Sequence, residues 1–244
     1  MQIIILNGQA GSGKTTAAKF IAGEAFKQGL TPVLESFARP IKEEAIALGY
    51  TKEEFPDKYR EFCQDMGATA RAGNPDHWVE LMQARISKLR TEENASLKDN
   101  RKYWEKVVII DDCRYMNEVA MGIKEKATLI FISTGERSLT EGDWREHESE
   151  ALAISVDNGS DDGDLFHYII YNDKTQDEYV DKIKEMASIW CGTRLDECDC
   201  PGCRMHRSGA AMSAREVLDE LIDLLEEPLD IDIDIEEDED EETE

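Results

Sequence analysis

An apolar run followed at once by a glycine-rich turn constrains this chain more than any other feature of its sequence. Residues 8–15 match the pattern Gly-x4-Gly-Lys-Thr without a mismatch, and the run Ile3-Ile4-Ile5-Leu6 precedes them. This order predicts a buried strand, a loop whose backbone N–H groups surround phosphates, and a helix that begins at Lys14. The glycines allow the loop its left-handed backbone, and the helix N-terminus adds a favourable dipole.

The side chains of this loop have separate predicted roles. Lys14 supplies a positive charge for the β- and γ-phosphates of ATP, and Thr15 supplies a hydroxyl group to Mg²⁺. A chance glycine-rich turn before a helix is the alternative, and the matching strand and helix context argues against it. The predicted nucleotide-binding residues are Gly8, Gly11, Ser12, Gly13, Lys14, Thr15 and Thr16.

A second apolar run ends in two adjacent carboxylates. Val107-Val108-Ile109-Ile110 is followed by Asp111 and Asp112, which is typical of a central parallel strand that presents an acid beside a phosphate-binding loop. The other interpretation is an ordinary buried strand that ends in a turn. Adjacent side chains point to opposite faces of a strand. We therefore favour Asp111 as the second Mg²⁺ partner and expect Asp112 to face the acceptor side.

Strands alternate with helices along the chain, which predicts an α/β fold with a mostly parallel sheet. Five strands are predicted, at 2–7, 32–37, 107–110, 128–133 and 167–171. Six helices are predicted, at 14–28, 40–48, 57–72, 75–94, 115–126 and 175–190. The expected architecture is a three-layer P-loop NTPase fold over residues 1–190. Residues 39–105 are too long for a simple crossover and predict a helical acceptor-binding insertion, whereas 135–163 are rich in Gly, Ser, Asp and Glu and predict a lid or loop.

The charge of the chain is strongly negative and unevenly distributed. The formal net charge is −26, and residues 216–244 hold 17 Asp and Glu without a Lys or Arg. Such a balance argues against broad affinity for nucleic acid. No apolar run approaches the roughly 20 residues that cross a bilayer, and the first residues lack the features of a signal peptide. We therefore expect a soluble, cytoplasmic protein without a membrane partner.

The last 54 residues of the chain divide into three predicted segments. Residues 191–210 are rich in Cys and His, and they offer one structural zinc site or, equally, a cysteine-rich loop without metal. The zinc ligands would be Cys198, Cys200, Cys203 and His206, with Cys191 as an alternative. Residues 211–227 predict an amphipathic helix that opens with a capping box. Residues 228–244 predict a disordered acidic tail rather than an edge strand, with a basic protein as a candidate partner.

Other P-loop classes fit the sequence less well than a kinase. The base-reading pattern Asn-Lys-x-Asp of GTPases is missing, and the chain is short for a motor ATPase with its own sensor domain. Instead, basic residues stand singly at loop and helix positions. An enzyme that moves a phosphoryl group between two anionic substrates needs such charges to offset repulsion. These basic residues are Arg39, Lys42, Arg60, Arg71, Arg114, Arg137 and Arg145.

Several ordered segments resemble the bacteriophage deoxynucleoside monophosphate kinases. The resemblance runs along most of residues 2–190 and, beyond the phosphate-binding loop, rests on short elements. These elements are Phe37-Ala38-Arg39-Pro40-Ile41-Lys42, Tyr59-Arg60-Glu61-Phe62-Cys63-Gln64-Asp65-Met66-Gly67, Arg71, Asp76-His77-Trp78-Val79, Asp111-Asp112-Cys113-Arg114-Tyr115-Met116-Asn117-Glu118 and His147-Glu148-Ser149-Glu150. Each is weak alone, and their common order is specific. The segment after residue 190 departs from the family.

The resemblance implies transfer of the γ-phosphoryl group of Mg-ATP to a deoxynucleoside 5′-monophosphate. It implies acceptor-side roles for Arg39, Lys42, Arg60, Gln64, Arg71 and Trp78. It also implies that Arg114 positions phosphate and that Arg137 or Arg145 closes over the transferring group, in the cytoplasm of a phage-infected host. For Arg60 and Arg71 a solvated surface role stays open, and for Trp78 a place in the core competes with base stacking.

Two other functions and one assembly remain open at this stage. A kinase of the same fold would act on a modified base in DNA, such as 5-hydroxymethyluracil. An ATP-gated binding protein would recruit partners through residues 211–244. A homodimer is a further candidate assembly.

Overall fold

Short and almost continuous apolar runs build the sheet at the centre of the fold. The computed structural model describes residues 1–51, 54–98, 105–135 and 147–191. Within them, five strands form one parallel sheet in the order β2-β3-β1-β4-β5. The strands are β1 (Gln2–Asn7), β2 (Thr31–Glu35), β3 (Lys106–Cys113), β4 (Thr128–Ser133) and β5 (Tyr168–Tyr171). The predicted α/β class with a five-stranded parallel sheet is confirmed.

Both faces of the sheet are covered, because the three inner strands are apolar at almost every position. In β1, Ile3 and Ile5 face one core, whereas Ile4 and Leu6 face the other. Strand β1 pairs with β3 with Ile3 opposite Val108, and the register shifts between Ile5 and Asn7. The two layers of helices follow from this alternation, since each face must be removed from water.

Seven α-helices lie in the described residues. They are α1 (Lys14–Lys27), α2 (Arg39–Ala47), α3 (Pro56–Gly73), α4 (His77–Lys98), α5 (Met116–Lys124), α6 (Ala151–Asp157) and α7 (Gln176–Cys191). Short 3-10 turns span Glu148–Glu150 and Asp161–Leu165. Helices α1 and α7 contribute to one core, and α4 and α5 contribute to the other. None of the described helices combines the length and apolar character that a membrane crossing requires.

The structure departs from the predicted segments at three places. In the predicted insertion, α4 packs on the sheet through Trp78, Met82 and Ile86, whereas α3 buries only Gly67. The predicted loop at 135–163 contains helix α6, because Leu152 and Val156 reach the core from a polar sequence. Strand β3 also continues through both aspartates to Cys113 instead of ending before them.

The connections place one crevice at the carboxyl edge of the sheet. The chain leaves β1 toward β2 on one side, and it leaves β3 toward β4 on the other side. In open parallel sheets, ligands bind where strand order reverses in this way. The loop at 8–13 and the carboxylates that end β3 both lie there. The segments predicted as a Cys/His-rich zinc site, an amphipathic helix and an acidic tail lie outside the described residues beyond Cys191.

Candidate functional site

Three glycines shape the loop between β1 and α1, hereafter the P-loop (residues 8–15). Gly8, Gly11 and Gly13 have φ angles of 145°, 81° and 100°, which side chains disfavour. A Cβ atom at Gly8 would lie 2.4 Å from the backbone oxygen of Ile132 in β4. The loop therefore passes so close to the sheet that only glycine fits there.

The side chain of Lys14 extends back over the P-loop. Its ammonium nitrogen donates to the carbonyl oxygens of Gly8 at 2.6 Å and Gln9 at 2.8 Å. The side chain is buried, and this burial, together with the nearby positive charge of Arg114, lowers its pKa from 10.5 to about 8. A bound anion would restore the stability of the charged form.

Side chains that follow the edge strand β5 contact the backbone of the P-loop. The Asn172 amide, which follows β5, donates to the carbonyl oxygen of Ser12 at 2.8 Å. The Tyr179 hydroxyl in α7 donates to the carbonyl oxygen of Gly13 at 3.1 Å. Both contacts fix backbone groups, so they preserve the loop conformation without occupying its inner surface.

Asp111 and Asp112 contact different parts of the site, although the register of β3 against β1 shifts beside them. Asp111 accepts a hydrogen bond from the Thr15 hydroxyl at 2.9 Å. Asp112 accepts from the backbone N–H groups of Phe37 at 2.7 Å and Ala38 at 3.1 Å, just before α2. The two acids thus join the P-loop to the segment that follows β2.

The two carboxyl groups have opposite pKa shifts. Burial, followed by the charge of Asp112, raises the pKa of Asp111. Burial acts in the same direction on Asp112, but Lys42 and the surrounding hydrogen bonds outweigh it and lower the pKa. The ammonium group of Lys42 lies 3.1 Å from Asp112, and this carboxylate outweighs burial and raises the Lys42 pKa.

Thr15 and Asp111 fit the predicted Mg²⁺ site. Their contacting atoms are a hydroxyl oxygen and a carboxylate oxygen at the mouth of the P-loop, and Mg²⁺ prefers such hard oxygen ligands beside phosphate. Among the described residues, no group of three or more His, Cys, Asp or Glu residues is arranged to hold a metal ion. The Mg²⁺ site would therefore depend on the nucleotide for further ligands.

One cavity of about 490 Å³ runs from the P-loop to α3. Most of the residues predicted to bind ATP line this cavity. Several of the residues predicted to bind the acceptor line it as well. On the P-loop side its walls include Lys14, Thr15, Thr16, Asp111 and Asp112. On the far side they include Lys42, Arg60, Gln64 and Arg71, and Arg114 lies close enough to Lys14 to lower its pKa. Two separately predicted groups of residues thus line one cleft.

Buried glutamates hold two of the cavity arginines. Arg114 forms an ion pair with Glu150. Arg71 lies 3.6 Å from Glu118, and its guanidinium stacks 3.7 Å from the centre of the Tyr115 ring. These contacts orient the arginines, because the carboxylates are buried and fixed in place.

Two predicted acceptor-side residues do not line the cavity, and neither do Gly8 and Ser12 of the predicted nucleotide-binding set. Arg39 instead pairs with Glu35 at 3.1 Å, and Arg85 from α4 binds the same carboxylate at 2.8 Å. Trp78 is 7% exposed within the core, and its indole N–H donates to Gly67 at 3.4 Å. The first contact links α2 and α4 to β2, and the second joins α4 to α3.

The remaining predictions fall outside the described residues. This holds for the lid arginines Arg137 and Arg145 and for the zinc ligands Cys198, Cys200, Cys203 and His206. Their alternative, Cys191, ends α7 as a buried free thiol. Burial raises its pKa to about 12.

Three functional neighbours were absent from the sequence-based site. Glu118, Glu150 and Asn172 are buried polar residues that hold the arginines or the P-loop. Both glutamates lie inside segments that carry the family resemblance, which is the signal that identifies them. Asn172 has no such signal, because only the parallel pairing of β4 and β5 brings it to the loop.

Removing the charge of Glu118 should change how stability depends on pH. Burial is the main cause that raises its pKa from 4.5 to about 7. The folded protein therefore holds a proton between these values that the unfolded chain releases, and its free energy of unfolding falls as pH rises through this window. A shift of this size corresponds to about 3 kcal/mol.

The free energy of unfolding of Glu118→Gln, measured relative to that of the wild type, should rise by about 3 kcal/mol as pH increases from 5 to 8. Urea unfolding at both pH values measures this change, and Glu44→Gln on the exposed side of α2 is the matched control. An equal pH dependence in Glu118→Gln and the wild type would contradict the assignment.

Comparison with known proteins adds no relative to this description. No protein-family model matches the chain, and no curated protein matches it either. The function of the site must therefore be inferred from its own geometry.

Proposed function

We propose that this chain is an ATP-dependent deoxynucleoside monophosphate kinase with a three-layer P-loop NTPase fold. The observation that carries the proposal is the single cavity that joins the P-loop to Lys42, Arg60, Arg71 and Arg114. A phosphoryl transferase must bring a triphosphate and an anionic acceptor into one enclosed space. The parallel sheet and its two helical layers support the fold assignment.

On the donor side, the P-loop would bind the phosphates of ATP through its backbone N–H groups and the Lys14 ammonium. Thr15 and Asp111 would hold Mg²⁺. When bound, this ion neutralises charge that develops on the phosphate oxygens. The role of Asp112 is structural in this scheme, since Lys42 and two backbone N–H groups engage its oxygens. It fixes Lys42 at the boundary between the two halves of the cavity.

On the acceptor side, the cationic residues match a monophosphate dianion. A guanidinium group binds phosphate in a bidentate manner, and Arg71 and Arg114 are both oriented by carboxylates. The side chains of Ile41 and Cys63 provide apolar surface in the same cavity, where a nucleobase would pack. Phosphoryl transfer depends mainly on position and charge, so the proposal assigns no strong general base.

The direct test offers each deoxynucleoside and ribonucleoside monophosphate to the full chain with Mg-ATP and identifies products by mass. We expect at least one deoxynucleoside monophosphate to become a diphosphate, with one ADP formed for each product. Asp111→Asn is the site variant, and it should lose most of this turnover. Absence of turnover with every free monophosphate would reject the proposal.

Two further arms of the same experiment separate the other functions. Turnover on DNA with a hydroxymethylated base, without turnover on free nucleotides, would identify a DNA-modifying kinase. A chain shortened by residues 211–244 should keep its kinase turnover. An ATP-gated binding protein would be favoured by two results together. The full chain would lack kinase activity, and the shortened chain would no longer recruit a partner. Cytoplasmic location, structural zinc at residues 191–210 and lid roles for Arg137 and Arg145 stay predictions.

Gly67 provides a selective test of the acceptor half. A Cβ atom there would lie 3.2 Å from the Arg71 guanidinium and 3.7 Å from the Ile41 side chain. We expect Gly67→Ala to raise the KM for the acceptor roughly 3- to 10-fold through displacement of Arg71, while the KM for ATP stays constant. The free energy of unfolding should change by less than about 1 kcal/mol, because alanine favours the helix.

Gly73→Ala is the matched control for this variant. It lies at the end of the same helix, and no atom lies within 4 Å of its added Cβ. An equal rise of acceptor KM in both variants would assign the effect to the helix backbone instead of Arg71.

A further inference from the structure

Glu150 connects the P-loop to an arginine of the acceptor half. One of its carboxylate oxygens accepts from the backbone N–H of Ala10 at 2.8 Å. The other oxygen accepts from the guanidinium of Arg114. Glu150 is only 2% exposed, so its carboxylate is largely shielded from water. One buried carboxylate thus spans the two halves of the cavity.

The segment that carries Glu150 is fixed to the P-loop at a second point. Asp157, at the end of α6, accepts from the Gln9 amide at 2.7 Å and from the Ser133 hydroxyl at 2.5 Å. Consecutive residues of the P-loop therefore bind opposite ends of a short helix. Two attachments limit rotation as well as translation of Glu150 relative to the loop.

The turn before α6 also supports Arg114. The His147 ring accepts from the backbone N–H of Ser149 at 3.2 Å, which closes the turn that Glu150 completes. The Ser149 hydroxyl lies 3.4 Å from the same guanidinium nitrogen that Glu150 binds. A guanidinium group carries five N–H donors, so these contacts at one nitrogen are compatible with a phosphate at another edge.

We infer that Glu150 is a positioning residue that sets the distance between the acceptor-binding guanidinium of Arg114 and the phosphate-binding loop. The inference rests on the proposed phosphoryl transfer, and it adds a residue whose role is exerted through Arg114. Reacting phosphates must be aligned within fractions of an ångström, and misplacement by about 1 Å can cost on the order of 100-fold in rate. Glu150 therefore affects turnover more than it affects the binding of either substrate.

The burial of Glu150 favours this role over competition with ATP. A carboxylate that competed for the phosphate site would have to leave Ala10, Arg114 and its buried position when nucleotide arrives. As a positioning residue it stays in place, because it contacts one terminal nitrogen of Arg114 and a single N–H of the loop. The two roles predict opposite effects on ATP affinity.

Glu150→Gln tests the inference in the full chain. The amide retains the size of the side chain, but it loses the charge that holds Arg114. We expect kcat to fall about 100-fold, with the Kd for ATP changed by less than about threefold. Glu125→Gln is the matched control, since Glu125 pairs with Arg90 at 2.7 Å and lies outside the cavity lining. It should leave kcat unchanged.

A double-mutant cycle identifies the residue through which Glu150 acts. In an Arg114→Ala background, Glu150→Gln should lower kcat by less than about threefold, because the group that it positions is gone. If Glu150→Gln does not fold, Glu150→Asp replaces it, since the shorter acid keeps the charge but does not reach both donors. We expect a loss of about tenfold from Glu150→Asp, again only when Arg114 is present.

Three results would overturn the inference. They are an unchanged kcat, an equal loss with and without Arg114, and tenfold tighter ATP binding by Glu150→Gln, which would identify a competing anion. A wild-type chain without turnover on any monophosphate is a different result. It would reject the proposed function and the inference with it.

Discussion

Replacement of Lys14 by methionine is expected to reduce kcat for phosphoryl transfer about 1,000-fold. The ammonium group lies at the mouth of the P-loop, where it is the cation nearest to the backbone carbonyls of Gly8 and Gln9. Methionine preserves most of the side-chain volume and removes the charge. Single-turnover assays with Mg-ATP measure the loss, and Lys19→Met on the exposed side of α1 is the matched control.

The loss of activity in Lys14→Met should not be matched by a loss in its free energy of unfolding. Burial lowers the Lys14 pKa from 10.5 to about 8, so below pH 8 the folded protein holds a charge that its surroundings disfavour. This cost fades as pH rises from 8 to 10.5, because Lys14 loses its proton in the folded state first. The stability of Lys14→Met relative to wild type should therefore fall by about 3 kcal/mol over this window.

Urea unfolding at pH 7 and pH 10 measures this difference. A variant that is both inactive and unfolded would show that Lys14 is needed for the loop structure itself. Retained transfer in a folded Lys14→Met protein would reject the proposed donor site.

The second large effect is expected for Gly8→Ala. The φ angle of 145° disfavours any side chain, and the added Cβ would lie 2.4 Å from the oxygen of Ile132 in the backbone of β4. A strand backbone does not move aside as a flexible side chain does. We expect a loss of roughly 3 kcal/mol or more in the free energy of unfolding, together with loss of ATP binding.

Gly49→Ala separates backbone strain from collision. Gly49 also has a positive φ, 79°, but no atom lies within 4 Å of its added Cβ. We expect a loss of about 1 kcal/mol there and normal ATP binding by calorimetry. Equal losses at both positions would show that strain alone accounts for the Gly8 effect.

Local patterns predicted β1, the glycine-rich loop and the start of α1 well, because these parts lie close together in sequence. The apolar run of β1, the glycines and the start of α1 at Lys14 form one continuous signal. In each case the physical constraint acts within a few residues, so no knowledge of distant contacts was needed.

The positions of Arg39 and Trp78 were predicted less well, because their side chains contact residues that are remote in sequence. Arg39 is a plausible phosphate ligand until β2 and α4 bring Glu35 and Arg85 beside it. Trp78 resembles a stacking residue until α4 packs on the sheet. Glu150 lies in a segment that carries the family resemblance, but its burial and its contact with Arg114 depend on residues remote in sequence.

Helix α6 shows the same limit for secondary structure. Its surroundings are rich in Gly, Ser and Asp, which predicts a loop. The helix forms because its apolar face reaches the core and because Asp157 and Glu150 bind the P-loop. Tertiary contacts therefore override the local preference, as is common for short helices.

The Asn172 and Tyr179 contacts with the P-loop have a consequence for protein synthesis. They join residues that are 160 and 166 positions apart, so the loop leaves the ribosome long before the side chains that hold it. At a typical elongation rate this delay is roughly 10–30 s. The loop therefore gains these two contacts only after β5 and the start of α7 have emerged from the ribosome.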